Sequence, residues 1–139
     1  MDKDRILAET KSMFSNLTRY SESAKLDSFL NCYQDSPDFI QIAGDGKMND
    51  YSEFKKLCED YYGRLRNQEI SIVKEKTNVL DTNLVIWTWT VNILAQFKNG
   101  DTMRMPNYSI SYLIKKIAGN WKIIHAHESS VPPELIRKS

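Results

Sequence analysis

Both histidines of the chain, His125 and His127, fall in one closing stretch, WKIIHAHESSVPP, residues 121–133. Two residues apart on a β-strand, they point to the same side. That spacing suits two zinc ligands, an acid/base pair, or imidazoles packed within a sheet. Zinc needs a third protein ligand and a hydrogen-bonding partner for each imidazole. The chain has no third histidine, and Glu128 alternates to the other side of the strand, so no metal is expected. The favoured reading is structural, with the imidazoles hydrogen-bonded within the sheet or at a dimer interface beside Trp121. An acid/base role is the other reading.

If the histidine face is outward, Ile124, Ala126 and Glu128 face the interior. A carboxylate on an otherwise apolar inner face is costly unless paired, and loss of hydration raises its pKa, as a general acid or base requires. The plainer alternative puts Glu128 at the strand end, in water or paired with a Lys or Arg. Tyr33, Tyr108 and Tyr112 either donate to a ligand oxygen or are core residues, each with one satisfied hydroxyl. The candidate catalytic residues are Glu128 and Tyr112, and the candidate pocket is Tyr33, Trp87, Trp89, Tyr108, Tyr112 and Glu128. Cys32 and Cys58 lack CxxC spacing and read as two buried or half-buried thiols. No nucleophile motif, phosphate loop or dinucleotide fingerprint is present, and no cofactor is expected.

These side chains must be held by surrounding elements. Ile6, Leu7, Phe14 and Leu17, with Met13 and Tyr20 nearby, predict an amphipathic helix of about five turns. The SES stretch, Ser21 to Ser23, predicts a break and N-cap candidates for a short second helix, striped by Leu26, Phe29, Leu30 and Tyr33. SPDFIQIAGDG reads as turn, short strand and turn, with Asp45-Gly46 supplying the turn chemistry. Asp50 and Glu53 resemble a capping box opening a third helix, whose buried face is Tyr51, Phe54, Leu57, Tyr61 and Leu65.

After Arg66 the period changes to that of strands, over residues Gln68 to Leu80, Leu84 to Lys98, Thr102 to Lys116 and Trp121 to Ser130. Short turns separate them, so a meander of antiparallel hairpins is expected, with Asn99-Gly100 as the strongest turn signal. In the second strand Val85, Trp87, Trp89, Val91, Ile93, Ala95 and Phe97 make the core face. In the third, Tyr108, Ile110, Tyr112 and Ile114 do. Pro106 requires an edge or a bulge. Helices followed by a long meander give an α+β fold, with N-terminal helices packed on a strongly curved antiparallel sheet. Bent, aromatic-lined strands of this length are able to wrap around a pocket.

With 139 residues, the chain makes one domain, residues 1–139. Apolar residues form 41% and aromatics 11%, enough for a core. Nineteen Lys and Arg against eighteen Asp and Glu, interspersed, leave a net charge of +1 and no basic face for nucleic acid or an anionic membrane. No stretch is apolar and long enough to span a bilayer. MDKDRILAETK lacks the apolar run of a signal peptide, so a cytoplasmic protein is expected.

The element order, together with F-I-Q-I-A-G-D-G-K, the N-G-D hairpin and G-N-W-K-I-I-H-A-H-E-S-S-V-P, resembles the nuclear transport factor 2-like superfamily, also known as the SnoaL-like or cone-shaped α+β barrel group. The closing His125-Ala126-His127-Glu128-Ser129-Ser130-Val131-Pro132 is similar to the last strand of the association domain of calcium/calmodulin-dependent protein kinase II, H-x-H-x-S-G-x-P. Ser130 stands where that pattern has Gly. The resemblance implies a cystatin-like cone and a homodimer packed through the outer face of the sheet. It leaves chemistry open, since isomerases, cyclases, dehydratases and purely structural modules share the fold. The association domain has pocket arginines where Glu128 and Tyr112 stand, so its kind of anion pocket is not carried over. Steroid isomerase chemistry would need an acid shortly before Gly44, where the chain reads Phe39-Ile40-Gln41-Ile42-Ala43-Gly44. The expectation is a homodimer binding a small apolar molecule in the cone. The alternatives are a structural dimerisation module or an isomerase-, cyclase- or dehydratase-type enzyme with Glu128 as acid/base.

Overall fold

A computed structural model describes residues 1–139. Helix α1 (Lys3–Glu22) starts at Asp2, whose side chain accepts from the Arg5 backbone N–H at 3.1 Å. Its buried stripe is Ile6, Thr10, Phe14, Leu17 and Ser21, while Leu7 is 38% exposed. The helix runs through Ser21, where a break was expected. There the Ser21 hydroxyl meets the Tyr62 hydroxyl at 2.8 Å and accepts from Gln68 Nε2 at 2.8 Å. These buried partners outweigh the preference of serine for caps and turns.

Helix α2 (Leu26–Leu30) is short and starts at Lys25 without a side-chain cap. Tyr33 lies beyond it, bridged to Ile123. Strands β1 (Ile40–Ile42) and β2 (Met48–Asn49) flank the Asp45-Gly46 turn, in which Gly46 takes a φ of +87°. That value suits glycine because it has no Cβ. Helix α3 (Tyr51–Arg64) carries the full capping box, Asp50 Oδ1 accepting from Glu53 N at 2.8 Å and Asp50 N donating to Glu53 Oε1 at 3.1 Å. Phe54, Cys58 and Tyr62 are its buried positions, and Leu57 is 48% exposed. Leu65, expected on the helix face, instead opens the next strand.

Four long strands follow: β3 (Leu65–Asp81), β4 (Leu84–Phe97), β5 (Thr102–Ile117) and β6 (Asn120–Ser129), with a short β7 (Glu134–Ile136) pairing the start of β5. The sheet order is β2-β1-β6-β5-β4-β3. The meander is antiparallel as expected, but β1 joins β6 in parallel, so the sheet is mixed and open, with β2 and β3 at its ends. The excursion through β2 and α3 between β1 and the meander allows that parallel pairing, which no local turn signal encodes.

On β4, Val85, Trp87, Trp89, Val91, Ala95 and Phe97 are at most 6% exposed. The helices cover this face, and the Phe14 ring of α1 stacks on Trp87 with centroids 3.3 Å apart. Pro106 takes the bulge. The β4–β5 register shifts between Val91 and Ile93, and Asn107 N there donates to Asn92 Oδ1 at 3.0 Å. On its other side β5 pairs β7 only over Thr102–Arg104 and β6 only from Ser109 onward, so the missing proline N–H falls in the gap.

A second bulge shapes the closing strand. Ile114 pairs Ile123 while Leu113 pairs His125, which leaves Ile124 as the extra residue. Ahead of it Trp121 and Ile123 are buried; beyond it Ala126 is buried and Glu128 shares its side of the strand. The residue expected to face inward, Ile124, is therefore replaced by Ile123.

Candidate functional site

The bulge at Ile124 determines which side chains of β6 meet the interior. Past it, Ala126 pairs Tyr112 and Glu128 pairs Ile110, all on the inner face, while His125 and His127 pair Leu113 and Ser111 on the outer one. Along the other edge of β6, Ala126 lies beside Gln41 of β1, and the imidazoles lie beside Ile40 and Ile42. Trp121 is on the inner side, away from the imidazoles, and its Nε1 donates to Glu9 of α1 at 3.2 Å. The expected grouping of Trp121 with the histidines is corrected accordingly: an unbulged strand would have put all three on one face. No group of three or more His, Cys, Asp or Glu side chains is arranged to hold a metal ion.

Gln41 Nε2 donates to Glu128 Oε2 at 2.5 Å, and the Tyr108 hydroxyl donates to Oε1. Gln41 Oε1 accepts in turn from Asn49 Nδ2 at 2.8 Å. Burial raises the carboxyl pKa of Glu128 above its ordinary value, against the opposing effect of the Tyr108 and Gln41 hydrogen bonds. Neighbouring Asp45 pushes in the same direction as burial, and His127 in the opposite one. No lysine or arginine bonds the carboxylate, so its partners are neutral donors. Without a cation to hold the charge, the protonated form of the carboxyl group is favoured more than it is in water.

Glu128 forms part of the wall of a cavity of about 400 Å³ between the helices and the sheet, and 18 of the 25 lining residues are hydrophobic. Of the expected pocket residues, Tyr33, Trp89, Tyr108, Tyr112 and Glu128 line it. Trp87 does not, because it is 1% exposed, sandwiched between Phe14 and Tyr112 at centroid distances of 3.3 and 5.1 Å. Burial, followed by the Glu128 charge, keeps the Tyr108 and Tyr112 phenols protonated. Both can donate a hydrogen bond and neither is poised as a base. Tyr112 reaches no hydrogen-bonding distance of the Glu128 carboxylate; Tyr108 holds that place.

Further residues of the site were not singled out from sequence. Met103, Met105, Val91 and Ile93 give the cavity an apolar, adaptable wall. Cys58 also lines it, its thiol kept neutral by burial and the Glu128 charge. At another part of the wall, Tyr61 donates to Gln68 Oε1 at 2.6 Å, and Gln68 donates to Ser21, a set of bonds that leaves these groups satisfied. Arg64 lines the cavity too, but its guanidinium is bonded to Asp60 at 3.2 Å. Gln41 is the omission that matters most. The available signal was a polar residue between Ile40 and Ile42, at the inward position of a short strand.

Two buried polar atoms have no partner, Asn49 Oδ1 and Trp89 Nε1. Each such atom costs roughly 1–3 kcal/mol. Ser130, where the related motif has Gly, is accommodated from the other side. A Cβ on Gly44 would come 2.5 Å from Ser130 Oγ, so the glycine sits across the contact.

Residues 11–134 match the family model described as a SnoaL-like domain. No curated protein matches the chain significantly. Among solved structures, a protein from Novosphingobium aromaticivorans provisionally assigned as a scytalone dehydratase superposes with a TM-score of 0.79 at 8% identity, covering 99% of this chain and 91% of that one. A nuclear transport factor 2-like superfamily protein from Salmonella enterica gives 0.76 at 17% identity, covering 94% of each chain. A protein from Xanthomonas campestris provisionally assigned as a calcium/calmodulin-dependent protein kinase II association domain gives 0.68 at 16% identity, with 89% and 86% covered. At these identities the likeness is one of fold.

Proposed function

The chain belongs to the SnoaL-like domain family, and from that premise we propose that it binds a small, largely apolar, uncharged molecule in the cone and exchanges a proton with it through Glu128. The observation that carries this reading is a carboxyl group with raised pKa, bonded only to neutral donors, on the wall of a 400 Å³ apolar cavity. A structural module has no need of such a group, since burying it costs stability that an apolar residue would not.

The chemistry narrows the ligand. An anion would meet the Glu128 charge with no free cation inside to compensate, so a neutral molecule is favoured. Its hydroxyl or acidic C–H would face Glu128, and a ring or short chain would occupy the Met103 and Met105 side. Proton transfer to or from such a molecule is the step shared by isomerases, cyclases and dehydratases. The likeness to a protein provisionally assigned as a dehydratase supports the fold's capacity for this chemistry.

Homodimerisation through the outer face of the sheet belongs to the same proposal. Ile40, Ile42, His125 and His127 share that face, with Ser111 and Thr88 continuing it. The likeness to an association domain supports it.

Native mass spectrometry followed by a denaturing run on the same sample tests both parts. The expected result is a dimer that releases an organic mass, or one that takes up neutral cyclic ketones or alcohols from a panel, with uptake lost in Glu128→Gln. A bare dimer that takes up no member of the panel would instead favour the purely structural module.

A further inference from the structure

The carboxylate is held by an amide that could have faced it either way. A glutamine presents a donating NH₂ at one end of its amide and an accepting oxygen at the other. Only the NH₂ end stabilises an ionised Glu128, and the oxygen end would repel it. What fixes the choice is one residue further out. Asn49 pairs directly with Gln41 across β1 and β2, so the two side chains share a face. Asn49 Nδ2 donates to Gln41 Oε1 at 2.8 Å and reaches the backbone oxygen of Lys47 at 3.4 Å. With two acceptors in front of it, the asparagine NH₂ is pinned in place, and its own oxygen is left buried with no donor. A residue 1% exposed that leaves an acceptor unpaired, and that takes no part in lining the cavity, is present for the donor it supplies.

We propose that Asn49 and Gln41 are positioning residues for Glu128: Asn49 sets the orientation of the Gln41 amide, Gln41 occupies Oε2, and Oε1 with the Tyr108 hydroxyl is left as the pair that meets a ligand. Asn49 acts through Gln41 and touches neither ligand nor carboxylate. The inference rests on Glu128 being the working group of the cavity, but its test needs neither ligand nor turnover.

The ionisable groups around Glu128 are Tyr108 and Tyr112 of β5, Tyr33 ahead of β1, and Cys58 and Tyr62 of α3, with Asp45 in the β1–β2 turn and His127 on β6 itself. The phenols and the thiol are all held protonated by burial. Carboxyl ¹³C and side-chain amide ¹⁵N resonances are followed against pH in the full chain, in Asn49→Leu and in Gln41→Met. In the unaltered protein the Gln41 NH₂ signals should move with the Glu128 midpoint, and the Asn49 NH₂ should exchange slowly with solvent. Gln41→Met should raise the Glu128 midpoint, a several-fold gain in proton affinity, by removing a donor to the charged form. Asn49→Leu should raise it in the same direction, because the glutamine amide is then free to turn.

A Glu128 midpoint unchanged in Asn49→Leu, alongside a raised one in Gln41→Met, would overturn the role of Asn49. Gln41 signals that ignore the Glu128 titration in the unaltered protein would overturn the whole relay, even if neither variant folds. Failure of Glu128 to act on any ligand would sink the proposed function and leave these resonance shifts as they are.

Discussion

The Tyr108 hydroxyl donates to Glu128 across neighbouring strands, from one diagonal step away: Glu128 pairs Ile110, and Tyr108 lies two residues before it on the same face. The bulge at Pro106 and Asn107 immediately precedes this tyrosine. Bulges re-aim the side chains beside them. Replacing Tyr108 with Phe removes one donor and little volume. Glu128 is then expected to stay protonated to a higher pH than in the unaltered protein, with about 1 kcal/mol lost in denaturant unfolding.

Glu128→Gln tests the group itself. Its raised folded pKa means that the folded state holds the proton more tightly than the unfolded chain does. As pH rises from the ordinary carboxyl range through the folded value, stability therefore falls. The glutamine variant lacks that loss, so its unfolding free energy relative to the unaltered protein should increase with pH across this window. Ligand uptake or turnover should disappear while far-UV circular dichroism stays the same.

Trp87 and Met105 separate core from cavity. Trp87 is sealed beneath Phe14 and lines none of the cavity. Trp87→Ala is expected to cost about 3–5 kcal/mol. Met105→Trp fills cavity space instead. It should abolish ligand uptake at a stability change within about 1–3 kcal/mol. Calorimetry with a ligand from the panel reads both.

Glu9 gives the fold an acid-sensitive tie. It accepts from Lys116, Trp121 and Arg5, and these bonds, Lys116 first, hold its pKa down at about 2 against an ordinary 4.5. The stabilisation is fully present above 4.5 and is lost as pH falls from there through about 2. Glu9→Gln should be less stable than the unaltered protein at neutral pH, and the difference should shrink with acidification through that window. Denaturant midpoints measured at several pH values check it.

On the outer face, His127→Glu places a charge beside its own copy in any dimer formed through that surface. Sedimentation velocity is expected to show a shift toward monomer at micromolar concentration.

Much of the architecture was legible because it follows from period and turn chemistry. The buried face of β4, the capping box at Asp50 and the bulge at Pro106 each rest on rules that act within a few residues. What escaped was set at longer range. Ser21 stays helical because Tyr62 and Gln68 reach it from other elements. The parallel pairing of β1 with β6 brings Gln41 to Glu128, separated by 87 residues in sequence. Trp87 and Trp89 share one face by alternation, yet only Trp89 reaches the cavity, because Phe14 covers the other.

The single extra residue in β6 has a consequence of another kind. Ten residues, Asn120 to Ser129, contain two different interiors. Spaced without interruption, they would turn Trp121, Ile123 and a pair of imidazoles to the inner face. With Ile124 as the extra residue, Ala126 and Glu128 turn inward in place of the imidazoles, and Glu128 reaches the cavity. One peptide unit thus selects between two chemistries encoded in the same strand, and the most economical route to a redesigned cavity runs through the spacing of β6 before any substitution of what it carries.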